Sequence, residues 1–330
     1  MKNKFKSVIV VALIVALTFN SYSNTSISDI ETCALNTLKG SYVAAVMEQN
    51  QQRFYKANII KNMPKHVDVV TIGSSHLLTV SNEDVGDSHI NLSIGGSTLQ
   101  DRLNVLGMLE YYGISYDKLI YELDIASLVS GIDLSTKSNI FNSFGNYFLN
   151  VLKSSYSEIP IDLDYNKYYV NKYNLPLTEF YRVEEKVPED WFYYKPDASI
   201  GLAKSIKHYT DELKNNNREI LFKVDVAYKD AHIREEAKQI IIKTFKYMKS
   251  KNIRISLVMV PRPPYVFNSV GMKDYELLQE INEFATYLSK EFDCKVSGSI
   301  DPNVIGAKDE DYYDGFHMYA DRISKFINID

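Results

Sequence analysis

A chain of 330 residues can bury a large core, and 45% hydrophobic with 24% charged residues excludes global disorder. Its net charge of −5 excludes a protein built around a nucleic-acid-binding face, because phosphate binding needs a clustered surplus of lysine and arginine. Six scattered histidines and two cysteines without Cys-x-x-Cys spacing offer no metal pattern and no cofactor motif.

The chain opens with Lys2, Lys4 and Lys6, followed by thirteen uncharged residues from Ser7 to Phe19 and the polar stretch Asn20 to Asn24. A basic start, a short apolar run and small residues after it are the marks of a secretory signal. A helix of that length reaches only about 20 Å, against a hydrocarbon core of roughly 30 Å. Residues 1–23 therefore read as a signal peptide or as an uncleaved N-terminal membrane anchor. Either reading exports the protein, to be secreted or held facing the exterior of the cell envelope. Cleavage after Ser23 would remove the three lysines and move the net charge from −5 to −8, which disfavours simple attachment to an anionic surface. Export permits a disulfide, but nothing in the sequence brings Cys33 and Cys294 together.

Residues 24–66 form a polar lead-in with helical stretches such as Leu38 to Phe54. The β-branched run Val67 to Ile72 reads as a buried strand entering a sharp turn at Gly73. A short strand, His89 to Ser93, leads into Ile94-Gly95-Gly96-Ser97-Thr98. Leu99 to Tyr112 has helical leucine spacing and stops at Gly113, and Lys118 to Leu123 is a third strand. Residues 130–198 lose periodicity and gain Asn, Ser, Tyr and Pro. They read as an insertion over the sheet rather than a second domain. The chain has 25 tyrosines, many of them between Tyr147 and Tyr194. The simpler reading is packing of the insertion, the alternative a sugar-binding face. Alternation then resumes: helix Ile233 to Lys251, strand Ile253 to Val260, helix Asp274 to Phe292, a short strand Cys294 to Val296, and a helix Ala320 to Ile327. Strands alternating with helices predict an α/β fold, a mostly parallel sheet with helices on both faces, whose reactive groups sit on loops beyond the C-terminal strand ends.

Two such loops carry chemistry. Ser75, in Gly73-Ser74-Ser75-His76, stands just past the first strand, where its hydroxyl is exposed and the next amides point at a developing oxyanion. Asp314 and His317 lie in Asp314-Gly315-Phe316-His317, just before the last helix. A serine nucleophile needs a base, and the base needs an orienting group. Each segment alone is an ordinary turn; their pairing at the first strand and last helix of one α/β unit is not.

These segments resemble the SGNH (GDSL-like) hydrolase superfamily. Gly73-Ser74-Ser75 matches its nucleophile block. Asn91 to Thr98 is similar to its Asn-x-x-x-x-Gly-x-Thr block, and Asp314 to His317 to its Asp-x-x-His block. The resemblance implies a three-layer, flavodoxin-like fold over 67–330, with Ser75 as nucleophile, His317 as base and Asp314 as orienting acid. It also implies an oxyanion hole from the amides of Ser75 and Gly96, and no cofactor. One block departs: where the family commonly has Gly-x-Asn-Asp, this chain has Leu123-Asp124-Ile125-Ala126-Ser127. Losing one oxyanion donor costs about a hundred- to a thousandfold in rate. Asp124 and Ser127 are the nearest polar residues, and the third donor stays unassigned.

The departure is similar to a branch of exported polymer-modifying proteins, the alginate O-acetyltransferase and D-alanyl-teichoic-acid transfer type. That resemblance implies O-acyl transfer to a polysaccharide or teichoic-acid-like polymer, beside a membrane-bound O-acyltransferase partner. A secreted carbohydrate esterase or deacetylase, and a non-catalytic assembly or binding subunit of the same fold, are the rival readings. His76, beside the nucleophile, and Arg262, between prolines after a strand, are candidate substrate-binding residues. An exposed loop arginine is the plain alternative for Arg262.

Overall fold

A computed structural model describes residues 27–45, 47–86, 88–133, 141–153, 181–188, 192–202 and 211–326. Residues 1–23, the expected signal peptide or anchor, and most of the expected insertion at 130–198 lie outside the described residues. Among those described, no helix is long and apolar enough to cross a membrane.

The lead-in holds helix α1 (Ile27–Leu38), strand β1 (Tyr42–Ala45) and helix α2 (Gln49–Asn62). The helix expected over Leu38 to Phe54 is thus present from Gln49 onward, and a break and a strand stand in its first part. The reason is tertiary: Val43, Ala44 and Ala45 bury themselves in a sheet made with distant residues. Next come β2 (His66–Ile72), β3 (His89–Asn91), α3 (Leu99–Tyr111), β4 (Ser115–Glu122), α4 (Ile125–Val129) and α5 (Asn142–Leu152). Residues 181–202 contribute β5 (Tyr181–Glu184), β6 (Phe192–Tyr194) and β7 (Ile200–Leu202), the first two within the expected insertion. The chain continues with α6 (Asp211–Val226), α7 (Glu235–Ser250), β8 (Arg254–Met259), α8 (Glu276–Phe292), β9 (Lys295–Gly298) and α9 (Ala320–Phe326).

Five strands form one parallel sheet in the order β3-β2-β4-β8-β9. Counted within that sheet the order is 2-1-3-4-5, a doubly wound arrangement in which chain direction across the sheet reverses between β2 and β4. The strands are apolar on both sides, as buried parallel strands must be. Val70, Ile72, Leu119, Tyr121 and Leu257 face one hydrophobic layer. Val69, Ile120 and Val258 face another, with Leu77, Tyr312, Met318 and Ile323. The second layer is built largely from the segments that carry Ser75 and His317, so the reactive loops are fastened by core packing.

A second, antiparallel sheet has the order β5-β1-β6-β7. It joins the lead-in to the insertion, and its Val43 and Tyr194 belong to the main hydrophobic core. Cys33 and Cys294 are both buried as free thiols, and burial pushes the Cys294 thiol up to about 11.

Lys56 of α2 ties these parts together. It is fully buried and its Nζ donates to the carbonyls of Asn91 (2.7 Å) and Ala198 (2.6 Å), one at the end of β3 and one in the insertion. Burial lowers its pKa to about 7, against the opposing charge of Asp197. The unfolded chain therefore binds more protons than the folded one between about pH 7 and the ordinary lysine range. Stability should rise with pH across that window, by at most about 1.4 kcal/mol per pH unit. Urea unfolding at several pH values checks this: the slope should be present in the wild type and absent in Lys56→Met.

Candidate active site

The site forms where β2 and β4 end, at the point of direction reversal where doubly wound sheets leave a crevice. Beyond Ile72 the chain must pass over the buried Glu122 at the end of β4. A Cβ at Gly73 would stand 2.7 Å from Glu122 Oε2, so glycine is what lets the carboxylate come under the turn. Glu122 accepts from the Ser74 backbone N–H and, at 3.1 Å, from the Ser74 hydroxyl. Ser74 in turn caps the 3-10 turn Ser75–Leu77, its Oγ accepting from His76 N at 3.3 Å. From the other side, the buried Asn91 amide donates to the carbonyls of Leu77 (2.7 Å) and Val80 (2.8 Å). Asn91 therefore pins the turn that carries Ser75.

Ser75 Oγ lies 2.8 Å from His317 Nε2, and His317 Nδ1 lies 2.7 Å from Asp314 Oδ2. A carboxylate only accepts, so Nδ1 carries the proton and Nε2 is left to accept from Ser75. The other Asp314 oxygen accepts from the amides of Phe316 (2.9 Å) and His317 (2.6 Å). Asn217 of α6 donates to the Asp314 carbonyl at 2.9 Å, and a bridge between Tyr312 and Met318 closes the loop. Burial pushes the Asp314 carboxyl up, but the His317 charge and hydrogen bond, with these amides, outweigh it and hold the group below its usual range. The His317 ring packs edge-on against Phe316 (4.3 Å between centroids) and stacks with Tyr313 at 5.9 Å.

Among the described residues, neither the Ser75 nor the Gly96 amide makes a hydrogen bond, so both are free to meet an oxyanion. Gly96 has φ +63°, a conformation L side chains rarely adopt. Helix α2 grips this turn: Gln52 Oε1 accepts from Gly95 N at 2.7 Å and Gln49 Nε2 donates to Gly96 O at 2.8 Å. Arg53 adds an ion pair to Asp101 of α3 at 2.7 Å. Asp124 and Ser127 supply no third donor. Asp124 is bound to Arg102 and caps α4 through Ser127 N at 2.9 Å, while the Ser127 hydroxyl donates to Asp124 O at 2.9 Å.

His76 turns inward rather than away, its Nδ1 3.1 Å from Glu122 Oε1 and 2.9 Å from Ser74 Oγ. Its ring centre is 5.7 Å from that of His317. Arg262 is no exposed loop residue: it is buried, and its Nη2 lies 3.1 Å from Oδ1 of Asp225, itself wholly buried on α6. His89 is buried against the Thr71 hydroxyl at 2.8 Å; His232 is exposed and bonded to Glu280; His208 lies outside the described residues. Among the described residues, the His/acid groups close enough to share a cation are His66–Asp68–Asp117 and His232–Glu276–Glu280, neither of which includes a triad residue.

Sequence reasoning missed Glu122, Arg102 and Asp225. For Glu122 a signal existed: a carboxylate closing an otherwise apolar strand run, Leu119 to Leu123, is buried by position and must have partners. Burial raises its pKa, but the His76 contact, the Arg102 guanidinium and the Ser74 amide hold it ionised, well below the ordinary carboxylate range. No protein-family model matches the chain, and no curated protein does.

Proposed function

We propose that the chain is an SGNH-type serine acyltransferase working through an acyl-Ser75 intermediate on an extracytoplasmic polysaccharide or teichoic-acid-like polymer. The observation that carries this reading is the unbroken line Ser75–His317–Asp314, at 2.8 and 2.7 Å. A base must come within hydrogen-bond reach of the proton it takes, and this one does in the free protein. Two unpaired amides, of Ser75 and Gly96, support the oxyanion assignment.

In acylation, Ser75 Oγ bonds the acyl carbon as His317 Nε2 takes the hydroxyl proton. That proton leaves with the departing oxygen as its bond to carbon breaks. In deacylation an acceptor hydroxyl bonds the acyl carbon, gives its proton to His317, and Ser75 leaves and is reprotonated. Asp314 holds the imidazole and stabilises its charged form throughout. The basic-apolar N-terminus supports export, and a multi-spanning O-acyltransferase is the partner this reading assigns.

The purified protein should be incubated with a chromogenic acetyl ester, with and without a glycan acceptor. The expected result is acetyl-glycan in the presence of acceptor. Release of free acetate alone in both cases would overturn the transferase reading in favour of a carbohydrate esterase.

A further inference from the structure

Beside the triad stands a second imidazole on a carboxylate. Glu122 is fully buried and fixed by the Ser74 amide, the Ser74 hydroxyl and Arg102. It holds His76 by Nδ1, so the opposite ring nitrogen, Nε2, points away from the buried acid. The His76 side chain keeps 12% of its surface exposed, and its Nε2 makes no hydrogen bond among the described residues. Its ring lies 5.0 Å from Phe316 and 5.7 Å from His317, centre to centre. Two imidazoles so spaced can reach two neighbouring oxygens of one bound molecule, one of them at His317, at ordinary hydrogen-bond length.

Which oxygen this is follows from the chemistry of the base. In acyl transfer the departing or arriving oxygen exchanges its proton with the catalytic imidazole, whereas the oxyanion turns to the backbone donors. A group packed against His317 is on the side of the exchanging oxygen. The surroundings are polar as well. Asp225, on which the His76 charge acts, is buried and paired with Arg262 at 3.1 Å.

We propose that His76, oriented by Glu122, is a second substrate-contacting imidazole whose Nε2 accepts a hydrogen bond from a hydroxyl of the exchanging alcohol next to its reacting oxygen, in acylation and in deacylation alike. This rests on the acyl-serine reading. The ligand class is a neutral, hydroxyl-rich alcohol such as a sugar or polyol, and Glu122 is a positioning residue. His76 moves no proton; with Nδ1 donating to Glu122, its Nε2 accepts from a neighbouring hydroxyl that a sugar ester carries and an aryl ester lacks.

The test compares kcat/KM for the 6-O-acetyl ester of methyl glucoside with that for p-nitrophenyl acetate, in wild type, His76→Ala, His76→Gln and Glu122→Gln. The ratio of sugar ester to aryl ester should fall about tenfold or more in His76→Ala, the worth of one hydrogen bond at a reacting centre. It should recover in part in His76→Gln, whose amide oxygen can still accept, and shift the same way in Glu122→Gln. An equal loss for both esters, leaving the ratio unchanged, would mean a purely structural role and overturn the inference. Labelling of wild-type Ser75 by a fluorophosphonate separates the two readings. No labelling brings down the acyl-serine reading and this inference together; labelling with an unchanged ratio brings down this inference alone.

Discussion

Ser75→Ala is expected to lower turnover of a chromogenic acetyl ester by at least about 10⁴-fold, to what the remaining binding groups support. The hydroxyl is the only atom in the line that can bond the acyl carbon, and nothing else in the turn replaces it. The neighbouring Ser74 hydroxyl is committed to the buried Glu122. Asp314→Asn should cost about as much for a different reason. The amide would favour the other imidazole tautomer and leave His317 Nε2 unable to accept from Ser75. Removing both groups should cost little more than removing one, because they act as a unit. Initial rates on the two single variants and the double variant check this, with circular dichroism to show that the fold is kept. Activity within tenfold of wild type in Ser75→Ala would remove the nucleophile assignment.

Arg102→Ala should destabilise the protein by about 3–5 kcal/mol, the usual cost of leaving buried charges uncompensated. Arg102 sits on α3 with 1% of its surface exposed and bonds the Glu122 carbonyl and the Asp124 carboxylate. Its Nη2 is 3.6 Å from the Glu122 carboxylate. Truncation would leave Glu122 buried with fewer partners for its charge and free Asp124 from the end of β4. Because Glu122 anchors the Ser74 amide, the loss should reach the nucleophile turn as well. Equilibrium unfolding in urea measures the stability change. Arg102→Met tests its cause: it restores volume but not charge, and should recover only a minor part of the loss.

Much of the fold was legible because period and composition report local burial. The β-branched run before Gly73, the leucine spacing after Thr98 and the apolar strand before Pro261 each state their own environment. Boundaries fell within a few residues of those observed at β2, α3, α7 and α8. The lead-in was misread at Leu38 to Phe54, since β1 owes its strand form to partners more than a hundred residues away, Tyr181–Glu184 and Phe192–Tyr194. No local pattern encodes a pairing of that separation.

For the site, the sequence by itself determined the candidate groups: a serine past a buried strand, and an aspartate and histidine three residues apart before a terminal helix. Those are statements about residue types in local turns, which a sequence carries directly. Only the tertiary structure decided that Ser75 and His317, 242 positions apart, meet at 2.8 Å. Only it decided that Glu122 holds the turn and His76 from beneath, that Gln49 and Gln52 of the lead-in grip the glycine turn, and that Arg262 is buried against Asp225. Each of these is a partnership between side chains from different elements. Partnerships are set by how the sheet and helices pack, because a buried charge acquires its meaning only from the groups that surround it.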